Sequence, residues 1–193
     1  FFISPHGFGH AARASAVMQA LTRRNPQILF EIFTTAPAWF FRESLSCPFN
    51  YHHEIVDIGL VQATPLAEDL PATLSALESF IPFSTNLLDR LATCLRQTNC
   101  SLVICDISPL GLAVARHANI PSILIENFTW DWIYAGYLEL HPSFERFISL
   151  FKQHFASCSC HIQTHPLCSH SLNADFISPP ISRDPLASAV ETR

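Results

Sequence analysis

Two short apolar runs that end in an acid constrain this chain more than any other feature. Residues 101–106 read SLVICD and residues 121–126 read PSILIE. Each is too short for a helix core and too continuously apolar for a strand with one wet face. Strands covered by helices on both sides carry this pattern, and such strands are parallel. Further β-type runs lie at 27–34, 49–57, 158–164 and 175–177, and the chain opens on an apolar run at 1–4. Between them, helical spacing recurs at 11–24, 36–45, 109–118 and 142–156. It recurs again at 74–96, as one helix or as two that meet at Pro82. Residues 60–73 read as a long loop or irregular helix, and 127–137 as an aromatic loop leading into a helix. Alternating strand and helix predicts an α/β fold, a Rossmann-like doubly wound parallel sheet.

The size of the chain suits one such domain. At 193 residues, 49% hydrophobic and only 14% charged, it has ample apolar surface for a large core. Residues 1–178 form the expected domain, and 179–193, starting at Pro179-Pro180, read as the start of a linker. The chain begins abruptly on Phe1, so its first strand is expected to lack a few residues. A net charge of −5 argues against a nucleic-acid partner, because phosphate binding needs a positive field. No apolar run approaches the roughly 20 residues needed to span a bilayer. Seven cysteines, an odd number without framework spacing, fit a reducing, cytoplasmic setting.

In doubly wound sheets, ligands bind outside the carboxyl ends of the strands. Three features fall there: the turn after the first strand, Asp106, and the stretch from Glu126 to Asp131. The turn reads Ser4-Pro5-His6-Gly7-Phe8-Gly9-His10. Gly7 and Gly9 let a ligand approach the backbone, and the helix that follows points its free N–H groups at that ligand. The turn is not a dinucleotide fingerprint, since no third glycine follows and the second strand ends in Thr34-Thr35 rather than an acid. It is not a P-loop either, because no Gly-Lys-Ser/Thr is present.

His10 sits where the positive end of a helix disfavours imidazolium, which suits a general base. Asp106 is a natural partner for its other ring nitrogen. The residues alone leave plainer readings open: His10 as a helix-start residue satisfied by backbone, and Asp106 as a cap on the helix at Ser108-Pro109. His6 finds no evident partner later in the chain. Cys158, Cys160, His161, His165, Cys168 and His170 supply zinc-type ligands, but their spacing matches no known finger and 158–164 reads as a strand; no metal is expected. Trp39-Phe40-Phe41 reads better as a core helix than as a membrane contact, having only Arg42 nearby as a cation.

The motifs resemble those of GT-B glycosyltransferases. Pro5-His6-Gly7-Phe8-Gly9-His10-Ala11-Ala12-Arg13 is similar to their opening Gly/His loop, with Pro5 in place of the usual Gly or Ser. Leu102 to Asp106, Ala113-Val114-Ala115 and Asn119-Ile120-Pro121 resemble their strand–Asp–helix–Gly-Ile-Pro module, with Asn119 at the Gly. Asp57 to Gln62 (DIGLVQ) and Asn127 to Tyr134 (NFTWDWIY) resemble a bacterial GT-B-like group and the N-terminal region of L-arabinokinases.

The resemblance implies the N-terminal half of a GT-B fold, which holds the acceptor, while the C-terminal half holds a nucleotide-sugar donor. It implies that His10 deprotonates an acceptor hydroxyl, that Asp106 orients His10, and that the sugar is transferred with inversion. Gly7, Gly9 and Arg13 would then lie at the donor diphosphate, and Asn127, Trp130 and Asp131 at the acceptor. No cofactor is implied. The donor-binding half is not within the sequence, so this piece alone is expected to be inactive. The rival reading is a non-catalytic sugar or nucleotide-sugar binding module.

Overall fold

The computed structural model describes residues 1–184. In chain order its elements are β1 (Phe2–Ile3), α1 (Phe8–Arg24), β2 (Phe30–Thr34), α2 (Ala38–Ser44), β3 (Phe49–His53), β4 (Gln62–Thr64), β5 (Ala67–Glu68), α3 (Leu70–Phe80) and α4 (Thr85–Gln97). Then come β6 (Val103–Asp106), α5 (Pro109–Ala118), β7 (Ser122–Glu126), α6 (Trp130–Ala135), a 3₁₀ turn at Pro142–Phe144, α7 (Glu145–Phe155), β8 (Cys160–Thr164) and β9 (Phe176–Ser178).

Seven strands form one sheet in the order β3-β2-β1-β6-β7-β8-β9, and every pair is parallel. The chain leaves β1 toward β2 on one side and reaches β6 on the other. The strand order therefore reverses between β1 and β6, which opens a crevice above their carboxyl ends.

Helices cover both faces, as the two acid-ended runs require. Neighbouring strand residues enter opposite cores, because side chains alternate across a strand. Phe2 and Phe33 point into the larger core with Leu77, Leu91 and Phe151. Ile3 and Ile32 point into the smaller one, where Ala11, Ala14 and Met18 of α1 meet Phe40 and Phe41 of α2. The Phe2 and Phe33 rings stack 4.5 Å apart, both fully buried. Burial of such a ring stabilises the fold by about 2–3 kcal/mol. Small residues let α1 lie close to the sheet, and Gly111 does the same for α5. A Cβ on Gly111 would stand 2.5 Å from Phe2 Cβ and 2.6 Å from Cys105 Sγ.

Several boundaries differ from the sequence reading, each for a local reason. The third strand stops at His53, and Glu54 to Gly59 peel away to run under α6. The stretch at 60–73 holds the antiparallel β4–β5 pair and the start of α3, which Asp69 caps by accepting from Ala72 N at 2.8 Å. The spacing over 74–96 resolves into two helices broken around Pro82, with Ser84 Oγ accepting from Leu87 N to start α4. Residues 179–184 form neither helix nor strand but pack back on the domain. Arg183 donates to Ser44 Oγ at 2.7 Å and lies over the Phe40 ring. The rest of the expected linker, 185–193, lies outside the described residues.

Candidate functional site

The site is built where β1 and β6 end. The backbone N–H of Ser4 donates to Asp106 O, so the two strand ends are locked together before the chain turns. Gly7 is the N-cap of α1 at φ 82°, a left-handed conformation that glycine adopts without strain, and no side chain caps the helix. A Cβ at Gly7 or Gly9 would meet nothing within 4 Å. The first turn of α1 thus presents its N–H groups to open space.

Helical spacing of three puts His10 and Arg13 on the same face of α1, both facing β6. His10 Nδ1 donates to Asp106 Oδ1 at 2.7 Å. Arg13 Nε donates to Oδ2 at 2.7 Å and its Nη2 to Oδ1 at 2.6 Å, a bidentate clamp. Arg13 Nη1 donates to Asn127 Oδ1 at 2.9 Å, which ties in the end of β7. Arg13 Nη2 also lies 3.3 Å from His10 Nδ1. Both atoms are donors to the same carboxylate, so this is a contact rather than a bond.

Asp106 is only 2% exposed. Burial pushes its carboxyl up, but the hydrogen bonds and charge of Arg13 and His10 outweigh burial and hold it below the ordinary carboxylate value. Burial likewise pulls the Arg13 guanidinium down, and Asp106 reverses that to leave it raised. An ionised carboxylate only accepts, so it fixes the proton of His10 on Nδ1 and leaves Nε2 with a free lone pair.

The backbone at Ile107, directly after Asp106, has φ 49°. A β-branched residue in the left-handed region stores roughly 1–3 kcal/mol of strain. The surrounding sheet holds it there: Ile107 is fully buried and bridges Ile3.

A cavity of about 300 Å³ opens over this cluster. His6, Gly9, His10 and Arg13 line it from the α1 side, and Asn127 and Phe128 from the β7 side. The Phe128 ring stands edge-on to the His10 imidazole, 5.7 Å away. Thr164, His165, Pro180 and Ile181 close the far wall. The sequence marks His165 only as a zinc-type ligand and Pro180 only as a linker start; the fold brings all four there through β8 and the returning tail.

The structure therefore brings His10, Asp106, Arg13 and Asn127 together and redistributes the remaining candidates. Arg13 is only 9% exposed and gives three of its five N–H groups to Asp106 and Asn127. Trp130 is not an open aromatic platform. It is 5% exposed, packed in the larger core, and its Nε1 donates to Asp57 Oδ2 at 3.2 Å. Asp131 faces a different cavity, described below.

His6 does have a partner. Its Nε2 lies 3.1 Å from Oδ1 of the buried Asp57, without hydrogen-bond alignment. Asp57 sits on the segment that leaves the short third strand, which is why sequence spacing did not connect the two. The same segment is pinned again where Tyr134 donates to Gly59 O at 2.7 Å. The two motifs DIGLVQ and NFTWDWIY thus bind each other.

Among the described residues, the grouping of His, Cys, Asp and Glu atoms close enough to share a metal ion is Glu31, His52 and Cys94. It includes no residue of the 158–170 run. No helix among the described residues is long and apolar enough to cross a membrane.

No family model matches the chain. Over 140 residues, 72% of its length, the chain is 29% identical to an L-arabinokinase from Arabidopsis thaliana, of which it spans 13%. Among solved structures it superposes on MurG from Acinetobacter baumannii with a TM-score of 0.52. That match covers 95% of this chain and 46% of MurG at 13% identity. The seven-stranded parallel sheet, its reversal between β1 and β6, and this superposition give the chain a Rossmann-like fold, that of one half of a GT-B protein.

Proposed function

We propose that this domain is the acceptor side of an inverting glycosyltransferase that uses a nucleotide-sugar donor. The observation that carries the reading is the 2.7 Å bond from His10 Nδ1 to a buried Asp106, with His10 lining a cavity at the carboxyl ends of the strands. That arrangement leaves Nε2 available as a base toward the cavity.

In this mechanism an acceptor hydroxyl sits within hydrogen-bond reach of Nε2. The hydroxyl oxygen attacks the anomeric carbon of the donor as its proton passes to Nε2. The bond to the nucleoside diphosphate breaks with inversion, and Asp106 stabilises the imidazolium that forms. The open first turn of α1, with Gly7 and Gly9, faces the donor diphosphate through backbone N–H groups. Arg13 acts through Asp106 and Asn127 as a positioning residue rather than on the phosphates. A cytoplasmic setting belongs to the same proposal and rests on the seven unpaired cysteines.

The test is turnover of a panel of nucleotide sugars by the gene product that carries this chain, wild type against His10→Ala. A base contributes about 10²–10⁴-fold to rate, so turnover should fall by that factor with donor binding retained. Unchanged turnover would remove His10 as the base.

A second reading, a non-catalytic sugar-binding module, is favoured by one observation. His10 is only 8% exposed, so a substrate reaches Nε2 through a narrow opening. Donor or sugar binding without turnover in wild type would establish it. The likeness to an L-arabinokinase puts L-arabinose on that binding panel.

A further inference from the structure

Phe128 lines a second cavity as well, of about 440 Å³, enclosed by α6, α7, β8 and the loop at 168–173. Its wall mixes apolar side chains with polar groups that are mostly prebuilt. Glu126, buried at the end of β7, accepts from His161 Nε2 at 2.9 Å and from Gln163 Nε2 at 2.7 Å, both on Oε1. Gln163 in turn holds the loop, donating to Ser169 O and accepting from Ser171 N. Asn127 O accepts from Cys168 N at 2.9 Å, so the loop is tied down at its other end too.

Two acceptors in this cavity lack protein donors. Asp131 Oδ1 is buried without a hydrogen-bond partner. Glu126 Oε2 receives no donor among the described residues, whereas Oε1 receives two. A buried acceptor left unpaired is costly, so a ligand donor is the natural complement. Lys152 and the hydroxyls of Ser169 and Ser171 add donors on the same wall. Glu126, Asp131 and Lys152 leave a formal charge of −1, which disfavours an anionic ligand and suits a neutral one rich in hydroxyl donors. Trp132, 44% exposed, lines the cavity and supplies an apolar ring edge or face.

We propose that this cavity is a binding site for a neutral saccharide of about monosaccharide size, separate from the cavity at His10. The ligand's hydroxyls donate to Glu126 Oε2 and to the Asp131 carboxylate and accept from Lys152, and a C–H face of its ring packs on Trp132. The volume falls within the range of small-molecule sites, about 300–1,000 Å³. None of these residues takes part in the transfer chemistry, so the site stands or falls independently of that reading.

The chain carries its own reporters. It has three tryptophans: Trp132 at this cavity, Trp130 buried against Asp57, and Trp39 on α2. The indole N–H signals of ¹⁵N-labelled protein, assigned by Trp→Phe variants, are followed while glucose, galactose and N-acetylglucosamine are added to about 50 mM, well past a Kd of ~1 mM. At least one sugar should shift the Trp132 signal saturably and leave Trp39 unmoved. Asp131→Asn and Lys152→Ala, the second at a solvent-exposed position, should each weaken the response by about tenfold or more. His10→Ala should leave it unchanged. The proposal fails if no sugar moves the Trp132 signal, or if both cavity variants bind as wild type does. It also fails if His10→Ala abolishes the response, since the ligand would then occupy the first cavity.

Discussion

Arg13 grips both carboxylate oxygens of Asp106, 93 residues away, with Nε at 2.7 Å and Nη2 at 2.6 Å. The clamp makes Asp106 an anion inside the protein and gives His10 a fixed acceptor. It also commits three of the five Arg13 N–H groups, counting the one to Asn127, to protein acceptors.

Asp106→Asn leaves Arg13 buried without its counter-charge. Breaking such a pair costs about 3–5 kcal/mol, softened here because the amide oxygen still accepts one bond. The expected loss is therefore about 3 kcal/mol at neutral pH, read by urea unfolding. The pH dependence has a definite sign. The Asp106 carboxyl is held below its ordinary value of 3.8 by Arg13 and His10 against the upward push of burial. Its contribution is complete above the unfolded value of about 3.9 and is lost as pH falls through the lower folded value. The gap between wild type and variant should be constant from pH 7 to pH 5 and narrow only below about pH 4. A gap that narrows between pH 7 and 5 would mean that the carboxylate is not held in this way.

Trp130 and Asp57 form the second long-range lock. Trp130→Phe keeps most of the ring volume but deletes the N–H that reaches Asp57 Oδ2. The buried carboxylate then retains His6 Nε2 at 3.1 Å as its neighbour. Loss of one donor to a buried charged acceptor costs about 1–3 kcal/mol. A shift of that size in the unfolding midpoint is expected, with the slope against denaturant unchanged. A variant as stable as wild type would show that the indole serves by volume alone.

Much of this fold is legible in the residues. The runs 101–106 and 121–126 announce buried parallel strands because no water-facing residue interrupts them. Alternation of strand and helix then leaves few topologies, and the crevice follows from the strand order. The pairing of His10 with Asp106 is legible for the same reason: both end central strands or begin the helix after one. The roles of Arg13, Trp130 and Asp57 are not. Whether a guanidinium meets a ligand or a carboxylate depends on a few ångströms of helix placement, and sequence spacing does not carry that. Asp57 lies on a segment that leaves the sheet four residues earlier than its apolar pattern suggests. The left-handed backbone at Ile107 is invisible in sequence, since isoleucine is among the least suited residues for it.

Gly111 reports on how tightly α5 lies against the sheet. Its backbone is ordinary helix, so alanine there is favoured by propensity by about 1 kcal/mol. Packing decides against it: the new methyl would stand 2.5 Å from Phe2 Cβ and 2.6 Å from Cys105 Sγ, atoms of a fully buried strand pair. Cβ atoms are fixed to the backbone and cannot swing aside, so α5 must lift. Overpacking of this kind costs about 1–3 kcal/mol, and the expected net effect of Gly111→Ala is destabilisation by thermal unfolding. A raised Tm would show that α5 has room to lift at no cost.

Gly59 and His6 give the sharpest coupled prediction. Gly59 has φ 62°, and a Cβ there would fall 2.2 Å from His6 Cε1 and Nε2. Gly59→Ala therefore carries two costs. One is the left-handed backbone, about 1–2 kcal/mol for a residue with a Cβ. The other is displacement of an imidazole that is held beside Asp57 Oδ1. His6→Ala removes the second cost and leaves the first. In a double-mutant cycle the two changes should be less destabilising together than their sum, with a coupling of about 1 kcal/mol or more. The same displacement would carry His6 out of the wall of the His10 cavity, so Gly59→Ala should also shift the His6 imidazole signals in NMR spectra while those of His10 stay in place. Strict additivity with an unmoved His6 resonance would show that the ring yields freely and that Gly59 is needed for its backbone alone.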